Sequence, residues 1–223
     1  MSNRTLRLRP KKSAQRFRFG APWIFKDEVV LDRRTRAIEA GSIVEVVDHE
    51  KRPFALAAFN AESKIVGRIL ELDVDATIDA AWFDARLRSA LAHRERHYDA
   101  PYYRLVHAEA DGLPGIIIDR FGSLVVVQPN AAYAEKHLDT LHEVLVGLPG
   151  IDLVYKNAQS RGRSLEGLDD VSAFIGDAPS AMDPLHVPMN GATYIADITG
   201  GQKTGLFYDQ RPNHAFIAGL ARG

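Results

Sequence analysis

Three short runs of apolar residues open the chain's pattern. SIVEVVD (Ser42 to Asp48) alternates enough to predict a strand, with Gly41 as the turn before it. FALAAFN (Phe54 to Asn60) and KIVGRILEL (Lys64 to Leu72) follow at short spacing, separated by Gly, Pro, Asn and Asp. Strands only a few residues apart predict a compact barrel or rolled sheet. The aromatics of FRFGAPWIFKDEVV, namely Phe17, Phe19, Trp23 and Phe25, are assigned mostly to its core rather than to a nucleic-acid stacking face. Large aromatics dominate burial in small domains.

The period changes after Asp79. Phe83, Leu87 and Leu91 recur every fourth position, which predicts an amphipathic helix over 81–93. YYRLVHAEAD (Tyr102 to Asp111) predicts a strand that ends in the DGLPG turn. GIIIDRFGSLVVVQ predicts a hairpin, with Ile116 to Ile118 pairing across Phe121-Gly122 with Leu124 to Val127. Ala134, Leu138, Leu141 and Leu145 mark one helix face, ended by Gly147 and Pro149 before a strand at Asp152 to Tyr155. QSRGRSLEGL (Gln159 to Leu168) is polar and glycine-bearing, and reads as a loop holding Arg161 and Arg163. A last hairpin joins His186 to Met189 with Ala192 to Asp197 through Asn190-Gly191, the strongest short-range hairpin signal. Sheets crossed by helices in this order predict an α+β architecture.

Charge alters this picture at one end. The formal net charge is -1, yet residues 1–20 carry Arg4, Arg7, Arg9, Lys11, Lys12, Arg16 and Arg18 and no acid. Such an arm is either a solvated terminus or a local contact for a polyanion. With no cysteine, disulfides, zinc-thiolate sites and thiolate nucleophiles are excluded within these residues. No apolar run is long enough for a membrane span, and a cytoplasmic setting is the expectation.

The densest chemistry lies in GQKTGLFYDQR, Gly201 to Arg211. Asp209 is expected to cap a helix whose first turn holds Arg211, Pro212 and Asn213, and which continues through Ala215, Phe216, Ile217, Ala218 and Leu220. Lys203 and Thr204 lie between glycines, where both can reach an anionic ligand. A phosphate-binding P-loop is rejected, because Gln202 stands where that motif needs the glycine before its lysine. A helix cap with incidental polar neighbours is the other account of this segment. His93 with His97, and His137 with His142, lack the spacing of a metal cluster, and no catalytic set can be assembled.

Two stretches carry a resemblance. RPKKSAQRFRFGAPWIFKDEV resembles the opening of an RNA-binding PUA domain. YYRLVHAEADGLPGIIIDRFGSLVVVQ resembles the middle domain of large-subunit (23S) ribosomal RNA methyltransferases that join a PUA domain, a middle domain and a class I methyltransferase domain. Gly201, Lys203, Thr204, Gly205, Phe207, Asp209, Gln210 and Arg211 match, in order, a motif that precedes the Rossmann-like catalytic domain in that family.

The resemblance implies a PUA-like β-barrel over 1–76, an α/β middle domain over 77–184, and over 185–223 the hairpin and first helix of a methyltransferase domain. It implies S-adenosylmethionine as cofactor, ribosomal RNA as partner and no membrane; a homodimer is one assembly it allows. Lys203, Thr204, Gly205, Phe207, Asp209, Gln210 and Arg211 would lie beside the cofactor. Lys11, Lys12, Arg16, Arg18, Arg161 and Arg163 would meet RNA. The implied product is 5-methylcytosine, with a guanine-methylating relative or a standalone PUA-type RNA-binding accessory protein as alternatives. The family's glycine-rich cofactor turn and its catalytic cysteine are expected beyond Gly223, so the 223 residues alone are expected to bind RNA without catalysis.

Overall fold

The computed structural model describes residues 4–180, 182–200 and 205–221. The first unit contains β1 (Thr5–Arg7), α1 (Gln15–Arg18), β2 (Trp23–Phe25), α2 (Arg33–Arg36), β3 (Ser42–Val47), β4 (Pro53–Phe59) and β5 (Ile65–Glu71). Its sheet order is β1-β3-β4-β5-β2, with β1 parallel to β3 and the other pairs antiparallel. The two ends of that order curl toward each other. Arg9 N donates to Glu28 O (2.8 Å), Val30 N donates to Arg7 O (2.9 Å), and Leu8 bridges Val29. The rolled sheet encloses Leu6, Leu8, Phe17, Ile24, Val44, Val46, Phe59 and Val66, which are buried. Of the basic arm, Thr5–Arg7 is thus a strand of the sheet and Gln15–Arg18 a helix, so it is no loose tail.

The second unit begins with α3 (Ala80–Glu95). Asp79 caps it by accepting from Trp82 N at 3.0 Å. There follow β6 (Tyr102–His107), β7 (Ile116–Phe121), β8 (Leu124–Pro129), α4 (Ala132–Lys136), α5 (Leu138–Val146), β9 (Leu153–Lys156), α6 (Arg161–Leu165) and β10 (Ala173–Ile175). The sheet order is β10-β9-β8-β7-β6, and only β8 and β9 run parallel within it. That parallel pair needs the helical crossover that α4 and α5 supply.

The run Leu124–Val127 is apolar at every position because both faces of β8 are covered. Val125 and Val127 face the core shared with α3 and α5, whereas Leu124 and Val126 face a separate cluster. That cluster is closed by the hairpin of β11 (Leu185–Met189) and β12 (Ala192–Ala196), through Val187, Met189, Ala196, Ile198 and Tyr208. Asn190 and Gly191 turn at φ 54° and 75°, as a two-residue hairpin loop requires. The chain's last described element is α7 (Arg211–Leu220).

Several expectations change in detail. The strand from Tyr102 stops at His107, because residues 108–111 form a 3-10 turn. Gly122 and Ser123, not Phe121 and Gly122, make the β7–β8 turn, since Phe121 pairs with Leu124. The helix expected through Ala134 and Leu145 is broken at His137 (φ -103°, ψ 18°). The segment expected as a plain loop contains α6. Asp209 does not cap α7; Gln210 occupies the cap position, and Asp209 lies in the 3-10 turn before it.

The aromatic assignment fails for three of its four residues. Phe17 is buried and stacks on Phe54, but Phe19 is 80% exposed, Trp23 38% and Phe25 40%. Ile24 takes the inward position of β2, so strand alternation forces its two neighbours outward.

Candidate nucleic-acid interface and the Gly205–Arg211 segment

The sequence places Lys11, Lys12, Arg16 and Arg18 within eight positions, and α1 with its preceding turn presents them together. The Lys12 N–H donates to Arg9 O (3.2 Å), closing a turn in which Lys11 adopts φ 70°. That left-handed conformation suits glycine, and a lysine holds it at a cost. Lys12 Nζ stands 3.5 Å from Asp27 and 4.0 Å from Glu28. Arg16 Nη2 donates to Glu28 Oε2 at 2.5 Å and to Trp23 O at 2.9 Å. Its guanidinium also lies 4.4 Å from the Phe17 ring centroid. Lys11 and Arg18 are exposed and have no ion-pair partner among the described residues.

Arg18 and Lys12 border a groove of about 420 Å³ with Gln15, Asp48, His49 and Arg52. A larger cleft, about 590 Å³, lies on the same unit between Arg4, Arg7, Arg34 and Lys51, with Asp32 and Glu45 in its wall. Arg34 and Lys51 were not singled out from sequence. The run RRTR (Arg33–Arg36) was the available signal for Arg34, whereas Lys51 lines the cleft from the β3–β4 turn and had no such signal.

The second basic pair separates. Arg161 is exposed on α6, but Arg163 is 1% exposed. Arg163 Nη1 donates to Glu135 Oε2 (2.8 Å) and Pro129 O (2.5 Å), and Nε donates to Asp169 O (2.8 Å). Lys156 Nζ shares the same carboxylate, donating to Glu135 Oε1 at 2.5 Å, and Asp169 Oδ1, 3.3 Å from Arg163 Nη2, balances the second cation. An arginine so enclosed must be paired to offset its desolvation, and its donors are spent on the protein itself. It has no face to offer RNA.

In the carboxyl-terminal motif, Lys203 and Thr204 lie outside the described residues. Gly205 adopts φ +96°, and a Cβ there would stand 2.8 Å from Asp197 O, so only glycine fits this close approach. Asp197 accepts from Thr199 N (3.1 Å) and Gly200 N (2.8 Å), bonds that, with the Gly200 one foremost, hold its carboxyl below the usual range. Tyr208 is buried and its hydroxyl donates to Arg120 O at 2.9 Å. Arg211 turns inward too: Nη2 donates to Tyr102 O at 2.6 Å, and the guanidinium sits 4.7 Å from the Tyr98 ring centroid. Its Nε is buried without a hydrogen-bond partner among the described residues. Gln210 Oε1 accepts from Asn213 Nδ2 (2.9 Å), while Phe207 is half-buried and Asp209 is exposed.

Asp209 and Tyr208 border an open groove of about 290 Å³ whose other wall is His93, Arg94, His97, Tyr98, Arg104 and His107. That lining sets the rings of Tyr98 and Tyr208 among three histidines and two arginines, and both arginines are already paired, Arg94 with Asp111 and Arg104 with Asp119. Among the described residues no group of His, Cys, Asp and Glu could hold a metal ion, and no helix is long and apolar enough to cross a membrane. On α7, Phe216, Ile217 and Leu220 are 67%, 62% and 64% exposed, so its apolar face is uncovered within the described chain.

Comparison with known proteins adds three observations. Residues 6–72 match the family described as PUA-like domain. The chain is 37% identical over 205 residues to "Ribosomal RNA large subunit methyltransferase I" of Shewanella frigidimarina, covering 91% of this chain and 51% of that protein. It is 34% identical over 197 residues to the protein of the same name from Klebsiella pneumoniae, covering 85% of this chain and 48% of that one. The chain therefore spans about half the length of the curated relatives it matches. Among solved structures, a SAM-dependent methyltransferase from Streptococcus mutans superposes with TM-score 0.77 at 17% identity, over 96% of this chain and 53% of that one. Another, a methyltransferase complexed with SAH, gives TM-score 0.76 at 16% identity, over 96% and 52%. These superpositions show a shared fold.

Proposed function

We propose that this chain, which is 37% identical to a ribosomal RNA large subunit methyltransferase I over 91% of its length and carries a PUA-like domain, is the RNA-docking portion of an S-adenosylmethionine-dependent ribosomal RNA methyltransferase. The carrying observation is the rolled first sheet, within the PUA-like match, that holds Lys11, Arg18 and the cleft of Arg4, Arg7, Arg34 and Lys51 on its surface. Cations spaced along such a surface bind phosphates and position a polyanion without naming its sequence. Lys12 and Arg16 support that surface while sharing their charge with Asp27 and Glu28. Arg161, exposed on the second unit, is offered as a further phosphate contact, and the buried Arg163 is left out.

The chemistry belongs to the methyltransferase as a whole. S-adenosylmethionine supplies an electrophilic methyl group to a base; cytosine C5 is the target that the sequence resemblance favours, and with no cysteine in this chain its thiolate nucleophile would come from outside these residues. Within the motif, Gly205, the buried Tyr208 and the half-buried Arg211 shape and anchor the segment, with Phe207 and Gln210 beside them. The exposed Asp209 is the described side chain that we assign to the cofactor's side of the segment, and the resemblance adds Lys203 and Thr204 to it.

Filter binding of a ribosomal RNA fragment across a salt series tests the docking role. The expected result is a linear fall of log affinity with log salt. Binding that does not change with salt, or no binding at all, overturns it.

A further inference from the structure

We propose that Phe19, Trp23 and Phe25 form a stacking platform for unpaired RNA bases, flanked by cations that hold the sugar-phosphate backbone. The inference rests on the RNA-docking role above and deepens it, by naming single-stranded RNA as what this part of the surface takes.

Three large aromatics within seven positions are 80%, 38% and 40% exposed, in a chain whose other aromatics mostly fill its cores. Their exposure follows from the backbone. With Ile24 fully buried in the rolled sheet, Trp23 and Phe25 both project from the outer face of β2. Their rings lie 6.3 Å apart at 83°, so two faces of different orientation are presented side by side. Phe19 sits in the turn that leads from α1 into the same strand.

The platform is held in place before any ligand arrives. Trp23 Nε1 donates to Glu109 Oε1 at 2.8 Å, which ties the indole to the second unit. Glu109 is itself 3.4 Å from Arg68 Nη1. Trp23 O accepts from Arg16 Nη2, and Phe25 N donates to Glu28 Oε2 at 2.8 Å. A fixed ring loses little freedom when a base stacks on it.

Charge decides what kind of partner fits. Asp27 and Glu28 are matched by Lys12 and Arg16, which leaves Lys11, Arg18, Lys26 and Lys64 without an ion-pair partner among the described residues. Lys26 follows Phe25 directly, and its N–H donates to Lys64 O at 3.1 Å, so both lysines adjoin the aromatic strand. Exposed rings bordered by uncompensated cations match a single strand, whose bases offer π-faces and whose backbone is anionic. A duplex keeps its faces stacked internally and could use the cations alone.

The test uses the whole chain with a short oligouridylate and a blunt RNA duplex of the same length. In a Trp82→Phe background, Trp23 is the only indole, and its fluorescence is quenched by the oligouridylate but not by the duplex. Phe25→Ala and Trp23→Ala each weaken oligouridylate binding about tenfold and leave duplex binding within twofold. Trp23→Phe, which keeps a ring but loses the bond to Glu109, retains most of the affinity. If both RNAs bind and neither alanine variant distinguishes them, the platform is wrong and the phosphate-docking role stands. If neither RNA binds, the docking role fails first. Concentration-dependent self-association abolished by Phe25→Ala would reassign the patch to contact between copies of this chain, and overturn the proposal.

Discussion

Glu166 Oε1 accepts from Arg68 Nη2 at 3.0 Å, joining the residue that ends α6 in the second unit to β5 of the first across ninety-eight positions of sequence. The same carboxylate takes Ser63 Oγ at 2.8 Å and Asn60 Nδ2 at 3.0 Å, while Arg68 extends to Glu109. Because Glu109 also receives the Trp23 indole, the bolt between the two sheets and the proposed RNA surface share one hydrogen-bond network.

Removing one partner of this buried pair leaves the other charge uncompensated. Glu166→Ala should therefore cost about 3 kcal/mol of stability, read as a lowered urea midpoint. An unchanged midpoint would mean that the two units are held by apolar contact alone.

Lys11 pays for its position in backbone strain, at φ 70° in a turn that favours glycine. Lys11→Gly should stabilise the fold by about 1 kcal/mol and at the same time weaken RNA binding in the filter assay. Gain in both properties would show that Lys11 has no part in docking.

Tyr133 is fully buried, and its hydroxyl has no hydrogen-bond partner among the described residues. Burial drives its ionisation far above the ordinary phenol range, so it stays neutral at any physiological pH. Deleting an unpaired buried hydroxyl removes a desolvation cost, and Tyr133→Phe should unfold at an equal or higher urea concentration than the parent. A clear loss of stability would reveal a partner for that oxygen.

Asp169 is held below the usual carboxylate value of 3.8 by the Val171 N–H and then by Lys156, with Arg163 adding to it. A depressed folded-state pKa contributes stability that is complete above the unfolded value and is lost as pH falls through the folded one. The urea midpoint of the parent should thus exceed that of Asp169→Asn at neutral pH, and the gap should close as pH drops below 3.8. A gap that persists in acid would assign the effect to shape rather than charge.

Local signals in the sequence carried much of the architecture. The four-residue recurrence of Phe83, Leu87 and Leu91 places α3, and Asn190-Gly191 places the last hairpin, because both depend on neighbours a few positions apart. The motif from Gly201 to Arg211 was visible as a cluster of polar types, and its exposed member Asp209 remains available to a ligand.

Direction and pairing were decided elsewhere. Nothing local distinguishes Arg163 from Arg161, yet only Arg163 meets Glu135, which arrives from α4, with Asp169 of the following loop beside it. Nothing local told Phe17 from Trp23 and Phe25 either: the sequence by itself determined that aromatics would gather beside the basic arm, whereas the closing of the sheet determined which of them stay in water. A rolled sheet has one inside, and once Ile24 occupies it, strand geometry leaves its two neighbours no other side to take.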